Sequence, residues 1–358
     1  MYSKELEALK RANRYRRVEL FNSFIDLASN DYLNLASNRK NFKKACNLVM
    51  SYDIFAPRAS LLINGYHPIH NQFEKEVAFV NGFEEGLVVG SGFLANIALI
   101  EALVRREDEL FIDKKYHASG ILATKLIDRV SFFEHNCAKD LEQKLIKSRA
   151  KRKIVAIEGV YSMSGDIAKR EIFEVAKRFD ALLIVDEAHS SGTIGKRLLG
   201  VFDYYDFEIL PNFIKMGTLG KAYGSYGAYI LSSKEIKEFL INRAKPIIYS
   251  TAPSVFDTAL ALINFRYILK NSSKLRKKLK KRQELARKIL NKDIKSPILV
   301  VEAASNKEVI LKQQKLLKEG IIVGAIRQPT VEIPINRVIL RLGVKKKIIK
   351  KALEILNG

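Results

Sequence analysis

The heptapeptide Thr218-Leu219-Gly220-Lys221-Ala222-Tyr223-Gly224 sets one lysine among small residues, directly after the run Phe213 to Met216, which reads as a buried apolar strand. Desolvation disfavours the charged form of a lysine, and a neutral amine is a nucleophile. Upstream lies Ala181-Leu182-Leu183-Ile184-Val185-Asp186-Glu187-Ala188-His189, a second buried strand that ends in a carboxylate and then an imidazole. The two stretches together predict a cofactor held between two strand ends. Gly220 and Gly224 are expected to let the backbone pass close to it, since glycine has no side chain to obstruct an approach.

Working outward, further strands are expected at Ile25 to Ala28, Gly86 to Val89, Leu110 to Asp113, Val130 to Phe133, Ile154 to Ile157 and Tyr229 to Leu231. Helices fall between many of them, among them Ile69 to Asn81, one running to Arg105, and Arg170 to Phe179. Such alternation specifies an α/β fold with a mainly parallel central sheet covered on both faces, which binds ligands beyond the carboxyl ends of its strands. His117, Ser162, Asp186, His189 and Lys221 all follow such ends. Ser91-Gly92-Phe93 opens a helix just after a strand, an arrangement that suits an anion because the first helical amides lack partners.

The two ends of the chain read differently. Residues 4 to 17 can form one polar helix, and 1–35 read as an N-terminal arm with a short strand. The large domain is expected over 36–250. After Tyr249-Ser250-Thr251 a helix from Val255 to about Leu269 leads to a separate basic helix reaching Leu290. Then come strands at Ile298 to Val301, Ile321 to Val323 and Val338 to Leu342, with a helix from Lys307 to Glu319. These make 251–358 a smaller C-terminal α+β domain.

The chain has 358 residues, 47% of them hydrophobic, which fits a globular protein with a large core. Cys46 and Cys137 fit neither a disulfide framework nor a metal-ligand spacing, so a reducing cytoplasm and no metal are expected. The charged start lacks the apolar core of a signal peptide, and no run approaches the length of a membrane helix, so no membrane partner is expected. The net charge is +23, from 62 basic and 39 acidic residues. Nucleic acid is one reading of it. However, the densest run, Lys274 to Arg282, sits in a helix whose Leu275, Leu279, Ala286 and Ile289 share one stripe, as a solvated face over a buried one would. Attraction of an anionic substrate or an acidic carrier protein is the reading preferred, with no nucleic-acid partner.

Five motifs in order resemble those of the α-oxoamine synthases: Ser29-Asn30-Asp31-Tyr32-Leu33, Glu158 to Met163, Val185 to His189, Gly217 to Gly224 and Tyr249-Ser250-Thr251. The resemblance covers nearly the whole chain. It implies a fold-type I transferase dependent on pyridoxal 5'-phosphate, with Lys221 in a Schiff base and acting as the base on the α-proton. It further implies Asp186 on the ring nitrogen, His189 and Ser162 on the phenolic oxygen, and His117 on the ring face. Phosphate contacts would come from Gly92, Phe93 and Thr218, and from Thr251 across a homodimer interface. Carboxylate recognition would fall to Arg16, Asn30 and Arg341, with Arg327 as a further candidate, because an arginine fork fixes orientation as well as charge.

Within that family the compact length and the loop Ala325 to Val331 resemble most the member that joins L-alanine to a pimeloyl thioester, carried by coenzyme A or an acidic carrier protein. Sister chemistry on glycine with acetyl- or succinyl-CoA, and amino-group transfer on the same fold, are the alternatives. The chain departs from the family pattern at Asn34, where glycine is common, at Arg58, where small residues are common, and at Gln328, where proline is usual. Arg58 either brings charge near the acyl donor or faces solvent.

Overall fold

The computed structural model describes residues 1–21 and 23–357. Its strands are β1 (Ile25–Asp26), β2 (Glu85–Val89), β3 (Glu109–Asp113), β4 (Val130–Phe133), β5 (Lys153–Glu158), β6 (Leu182–Asp186), β7 (Phe213–Thr218), β8 (Ala228–Ser232), β9 (Ile298–Glu302), β10 (Ile321–Ile322), β11 (Gly324–Ile326) and β12 (Ile335–Ile339). Two compact units are formed. One comprises Leu33–Tyr161 with Asp166–Arg276, and the other Met1–Tyr32, Ser162–Gly165 and Lys277–Gly358.

The larger unit is built on a seven-stranded sheet of order β2-β8-β7-β6-β5-β3-β4. β4, β3, β5, β6 and β7 are parallel, while β8 runs antiparallel to both β7 and β2. The expected mainly parallel sheet is therefore present, and the α/β fold class stands. β5 and β6 end in step, with Glu158 beside Asp186, and β7 runs two residues further, with Met216 beside Asp186. Strand alternation puts Ile184 and Asp186 on one face, together with Ile214, Met216 and Thr218. The apolar members of this set join Ala98, Leu99 and Leu103 in one core cluster. The helix Gly92–Leu103 that covers this face is apolar on nearly every side and carries one buried amide, Asn96.

The other face of β7 holds a surprise in a run read as apolar. Lys215 is almost fully buried, its ammonium donating to Asn81 Oδ1 at 2.9 Å and to the Leu199 carbonyl, and lying 3.9 Å from Glu187 Oε1. Burial pushes the Glu187 carboxyl up, and Lys215, Ser190 and the Val201 amide pull it back. A lysine can be buried when its charge has polar and acidic partners.

The smaller unit contains an antiparallel sheet β11-β12-β9 and a parallel pair β1-β10. Leu27, Leu299, Leu316, Val338, Leu340 and Leu353 are among its core residues. Several expectations shift here. The N-terminal helix is Ser3–Arg11, since Asn13 adopts a left-handed φ of 53° that an α-helix does not accommodate. The last long strand is Ile335–Ile339, earlier than expected, because β9 pairs with it from Ile298 to Glu302. The two helices expected after Val255 are one helix of 36 residues, Val255–Leu290. Neither glycine nor proline interrupts it, so no breaker ends it near Leu269. Its stripe is as expected, with Leu275, Leu279 and Ala286 buried. The compact units divide within this helix, between Arg276 and Lys277, and not after residue 250.

Asn34 has φ 60°, which explains why an asparagine can stand where glycine is common. Gly224 has φ 59°, and a Cβ there would lie 2.6 Å from the Ala36 nitrogen and 2.7 Å from the Leu35 carbonyl carbon. The close approach at Gly224 is thus to the chain at Leu35–Ala36 rather than to a bound group, whereas a Cβ on Gly220 would meet nothing nearer than 3.6 Å. Gly224→Ala is expected to cost about 2 kcal/mol or more, from left-handed strain plus the clash. Gly220→Ala is expected to be nearly silent in the same thermal-unfolding measurement.

Candidate active site

A cavity of about 230 Å³ opens at the carboxyl ends of β5, β6 and β7, against the N-terminus of the helix Gly92–Leu103. Lys221, Asp186, His189, His117, Thr218, Gly92 and Phe93 all line it, together with Asn96, Glu158, Ala188 and Met216. Seven of the residues picked from sequence thus converge. The physical reason is the common register of three parallel strands, which delivers their following loops to one edge.

Lys221 is half-buried, and its amine lies 2.9 Å from His189 Nε2. Asp186 is buried; its Oδ1 accepts the Ala188 amide at 2.9 Å and its Oδ2 the Asn96 side-chain amide at 2.9 Å. His117 caps the following helix by accepting the Ser119 amide, and its Nδ1 is also 2.7 Å from Ser119 Oγ. Burial pulls the His117 imidazolium down, with Asp186 acting against it and Lys221 with it, so the ring is neutral near pH 7. Thr218 donates its hydroxyl to the Gly227 carbonyl at 3.0 Å. At the helix start Ser91 accepts the amides of Leu94, through Oγ, and Ala95, through its carbonyl. The amides of Gly92 and Phe93 have no acceptor among the described residues.

The remaining sequence candidates are not among the residues that line this cavity. Thr251 is exposed and forms an isolated antiparallel bridge with Ser60. Within the smaller unit, Arg341 is held by Asp26, by Asp31 at 2.8 Å and by Ser29 at 2.8 Å. Arg16 reaches Thr330 at 3.3 Å, and Arg327 donates to the Asn13 carbonyl at 2.7 Å. Asn30 accepts from Arg337 at 3.0 Å, and the Ser162 carbonyl accepts from the same guanidinium at 2.8 Å. Arg58 is exposed, with one contact of 3.5 Å to the Asn64 carbonyl.

Reading the sequence missed three features. Asn96 is one; a lone amide in an otherwise apolar helix was its signal. Arg337 is another, a buried guanidinium on β12 that joins Asn30 to Ser162 and makes no ion pair among the described residues. The third is His135, whose ring bridges Asp113 and Asp166 at 3.0 Å each. Tyr161 donates to Asp113 at 2.8 Å and Asn136 to Asp166 at 2.9 Å, so the group ties down the base of the loop after β5, where Val160 bridges Ile167. No sequence spacing announces a cluster drawn from three loops.

The fold and this edge define a fold-type I α/β transferase. Residues 22–356 match the family of class I and II aminotransferases, and the chain belongs to that family. It is 44% identical over 346 residues to the 8-amino-7-oxononanoate synthase of Helicobacter pylori strain J99, covering 96% of this chain and 93% of that one. A solved 8-amino-7-oxononanoate synthase from Francisella tularensis superposes with a TM-score of 0.79 at 29% identity, over 94% and 97% of the two chains. A serine palmitoyltransferase from S. paucimobilis, solved with a bound PLP-myriocin aldimine, gives a TM-score of 0.89 over 99% of this chain and 95% of its own, and at 22% identity it speaks to the fold alone. The resemblance to α-oxoamine synthases is borne out by these relatives.

The acid–imidazole bridge makes a checkable claim about stability. Burial lowers the His135 imidazolium, but hydrogen bonds to Asp113 and Asp166 and their charges outweigh it and hold the group at about 9. A histidine raised in this way stabilises the fold fully below its unfolded value of about 6.5, and that contribution is lost as pH climbs through about 9. The wild-type denaturation midpoint is therefore expected to fall between pH 6.5 and 9. In His135→Gln this segment of the pH profile should flatten; an unchanged slope would count against the bridge.

Proposed function

We propose that the chain condenses L-alanine with a pimeloyl thioester, giving 8-amino-7-oxononanoate, carbon dioxide and the free thiol, with pyridoxal 5'-phosphate as cofactor. The observation that carries this reading is the convergence of Lys221, Asp186, His189 and His117 in one cavity, in a chain 44% identical over 96% of its length to an 8-amino-7-oxononanoate synthase.

The residues present fit the cofactor. Lys221 offers an amine for the aldehyde, and Asp186 a buried carboxylate for a protonated ring nitrogen. The unpartnered amides of Gly92 and Phe93 at a helix N-terminus suit a phosphate. Thr218 joins them if its hydroxyl turns from Gly227, and in a homodimer Thr251 of the partner subunit would complete the set. Bound there, pyridoxal phosphate supplies an electron sink for the pair left at the amino acid's α-carbon.

The chain's own groups do the rest. Asp186 would favour the protonated ring nitrogen, since a close carboxylate typically stabilises a positive partner by about one to three pKa units. His117, neutral, would face the ring without adding charge. His189 would orient the phenolic oxygen. Lys221 Nζ accepts the α-proton from alanine. The α-carbon then forms a bond to the thioester carbonyl as the carbon–sulfur bond breaks and the thiol departs. Loss of carbon dioxide and return of a proton to the same carbon complete the balance. The excess of positive charge suits an anionic acyl donor, either coenzyme A or an acidic carrier protein.

For the alanine carboxylate, Arg337 is a better candidate than Arg341. The Arg341 charge is already met by Asp26 and Asp31, while Arg337 donates to a carbonyl and an amide oxygen and has no carboxylate partner among the described residues. Arg337→Gln is expected to raise the KM for alanine at least tenfold, about 1.4 kcal/mol, with a smaller change in kcat. Arg341→Gln is expected to act mainly by lowering the melting temperature; the reverse pattern would return the role to Arg341.

Thiol release separates the reading from its nearest rivals. Alanine plus pimeloyl-CoA is expected to be strongly preferred over glycine plus acetyl-CoA, and turnover of amino acid with a keto acid in place of a thioester should be negligible. Preference for the glycine pair, or efficient amino transfer to the keto acid, would overturn it.

A further inference from the structure

Asn96 occupies the centre of a hydrogen-bond network that the roles above leave unexplained. Its amide nitrogen lies 2.9 Å from Asp186 Oδ2 and 2.9 Å from Ser119 Oγ, while its oxygen accepts from the Tyr116 hydroxyl at 2.8 Å. A carboxylate can only accept, so the nitrogen of Asn96 must face Asp186. With one amide hydrogen spent on Asp186, the other goes to Ser119. Ser119, already an acceptor from Asn96, has its own hydrogen left for His117 Nδ1 at 2.7 Å. His117 Nδ1 is then an acceptor twice over, taking the Ser119 amide as well, and its ring proton sits on Nε2.

Every member but His117 is buried to within a few per cent: Asn96 at 1%, Ser119 at 0%, Tyr116 and Asp186 at 4%. Buried polar groups without partners cost free energy, so a network this complete has few alternative arrangements. Burial first, and then Asp186 and Glu158, push the Tyr116 phenol well above its ordinary value, so it stays a donor.

We propose that Asn96 is a positioning residue that sets two cofactor contacts at once, aiming the Asp186 carboxylate and fixing the tautomer of His117. It touches neither substrate nor reacting atoms in this account and acts through its neighbours. The consequence for the cofactor rests on the function proposed above; the network itself does not.

The sharpest variant is Asn96→Asp, which keeps the shape but replaces the donor facing Asp186 with an acceptor. Two carboxylates then face each other, and one must hold a proton. The other titratable groups around this point are Tyr116 and His117 after β3, Glu158 at the end of β5, His189 after β6 and Lys221 after β7. In the cofactor-free full-length variant, carbon NMR of labelled aspartates is expected to show one new carboxyl titrating about two or more units above the usual value of about 3.9. Its absence in a folded protein would overturn the proposal, whether or not the protein binds pyridoxal phosphate. The affinity of the variant for pyridoxal phosphate, relative to wild type, is expected to be at least tenfold weaker at pH 8 and to recover to within about threefold near pH 5.5. A ratio that does not change with pH would also overturn it, because loss of packing alone has no such dependence. Asn96→Ala removes both donors without adding an acid and covers the case in which the aspartate variant does not fold. It is expected to bind the cofactor at least tenfold more weakly at every pH, and wild-type affinity would sink the proposal. Wild-type protein that fails to bind pyridoxal phosphate would count against the proposed function, leaving the carboxyl titration to decide on Asn96.

Discussion

The fixed register of three parallel strands is the constraint on which the candidate site depends. Because Glu158, Asp186 and Met216 pair in register on β5, β6 and β7, the carboxylate and imidazole at the end of β6 and the lysine that follows β7 share one edge. Parallel pairing leaves this register no freedom once each strand is buried on both faces, since a slip by one residue would turn Asp186 into the opposite layer and send Val185 to the cavity. The apolar helix Gly92–Leu103 covers the same face and contributes both a helix N-terminus and the buried amide of Asn96. Scaffold and site are in this sense the same set of hydrogen bonds.

That set also explains why two lysines six residues apart on one strand and its loop have opposite characters. Lys215 faces the far side of the sheet, fully enclosed and held by Asn81, the Leu199 carbonyl and Glu187. Lys221 lies past the strand end, half-buried, with an imidazole nitrogen at 2.9 Å. The first is immobilised by partners that favour its charge. The second has a histidine nitrogen within hydrogen-bond reach, the arrangement that its proposed role as a base would use.

The central sheet was legible because buried parallel strands write themselves as short apolar runs bounded by polar loops, and Ala181–Asp186 or Leu110–Asp113 could hardly be anything else. That Lys221, Asp186, His189 and His117 share one sheet edge was legible for the related reason that each ends or follows such a run. What escaped the sequence depended on contacts between segments. Val255–Leu290 read as two helices because its composition turns from apolar to basic midway, although composition does not break a helix and glycine or proline does. Nothing in the sequence around Arg341 tells that Asp26 and Asp31 already hold its charge, and Arg337, just outside the strand expected from Val338, carries no mark of its place beside Asn30 and Ser162. Gly224 seemed to serve a ligand and instead makes room for the chain at Leu35–Ala36.

The account's central claim is that Lys221, rather than any other amine, is the group to which the cofactor attaches. Borohydride treatment of the pyridoxal-phosphate-loaded protein, followed by proteolysis and mass spectrometry, fixes the cofactor to whichever lysine holds it. The account predicts the added mass on Lys221 alone. A label on Lys215 or on surface lysines, with Lys221 unmodified in a protein that had bound the cofactor, would contradict it.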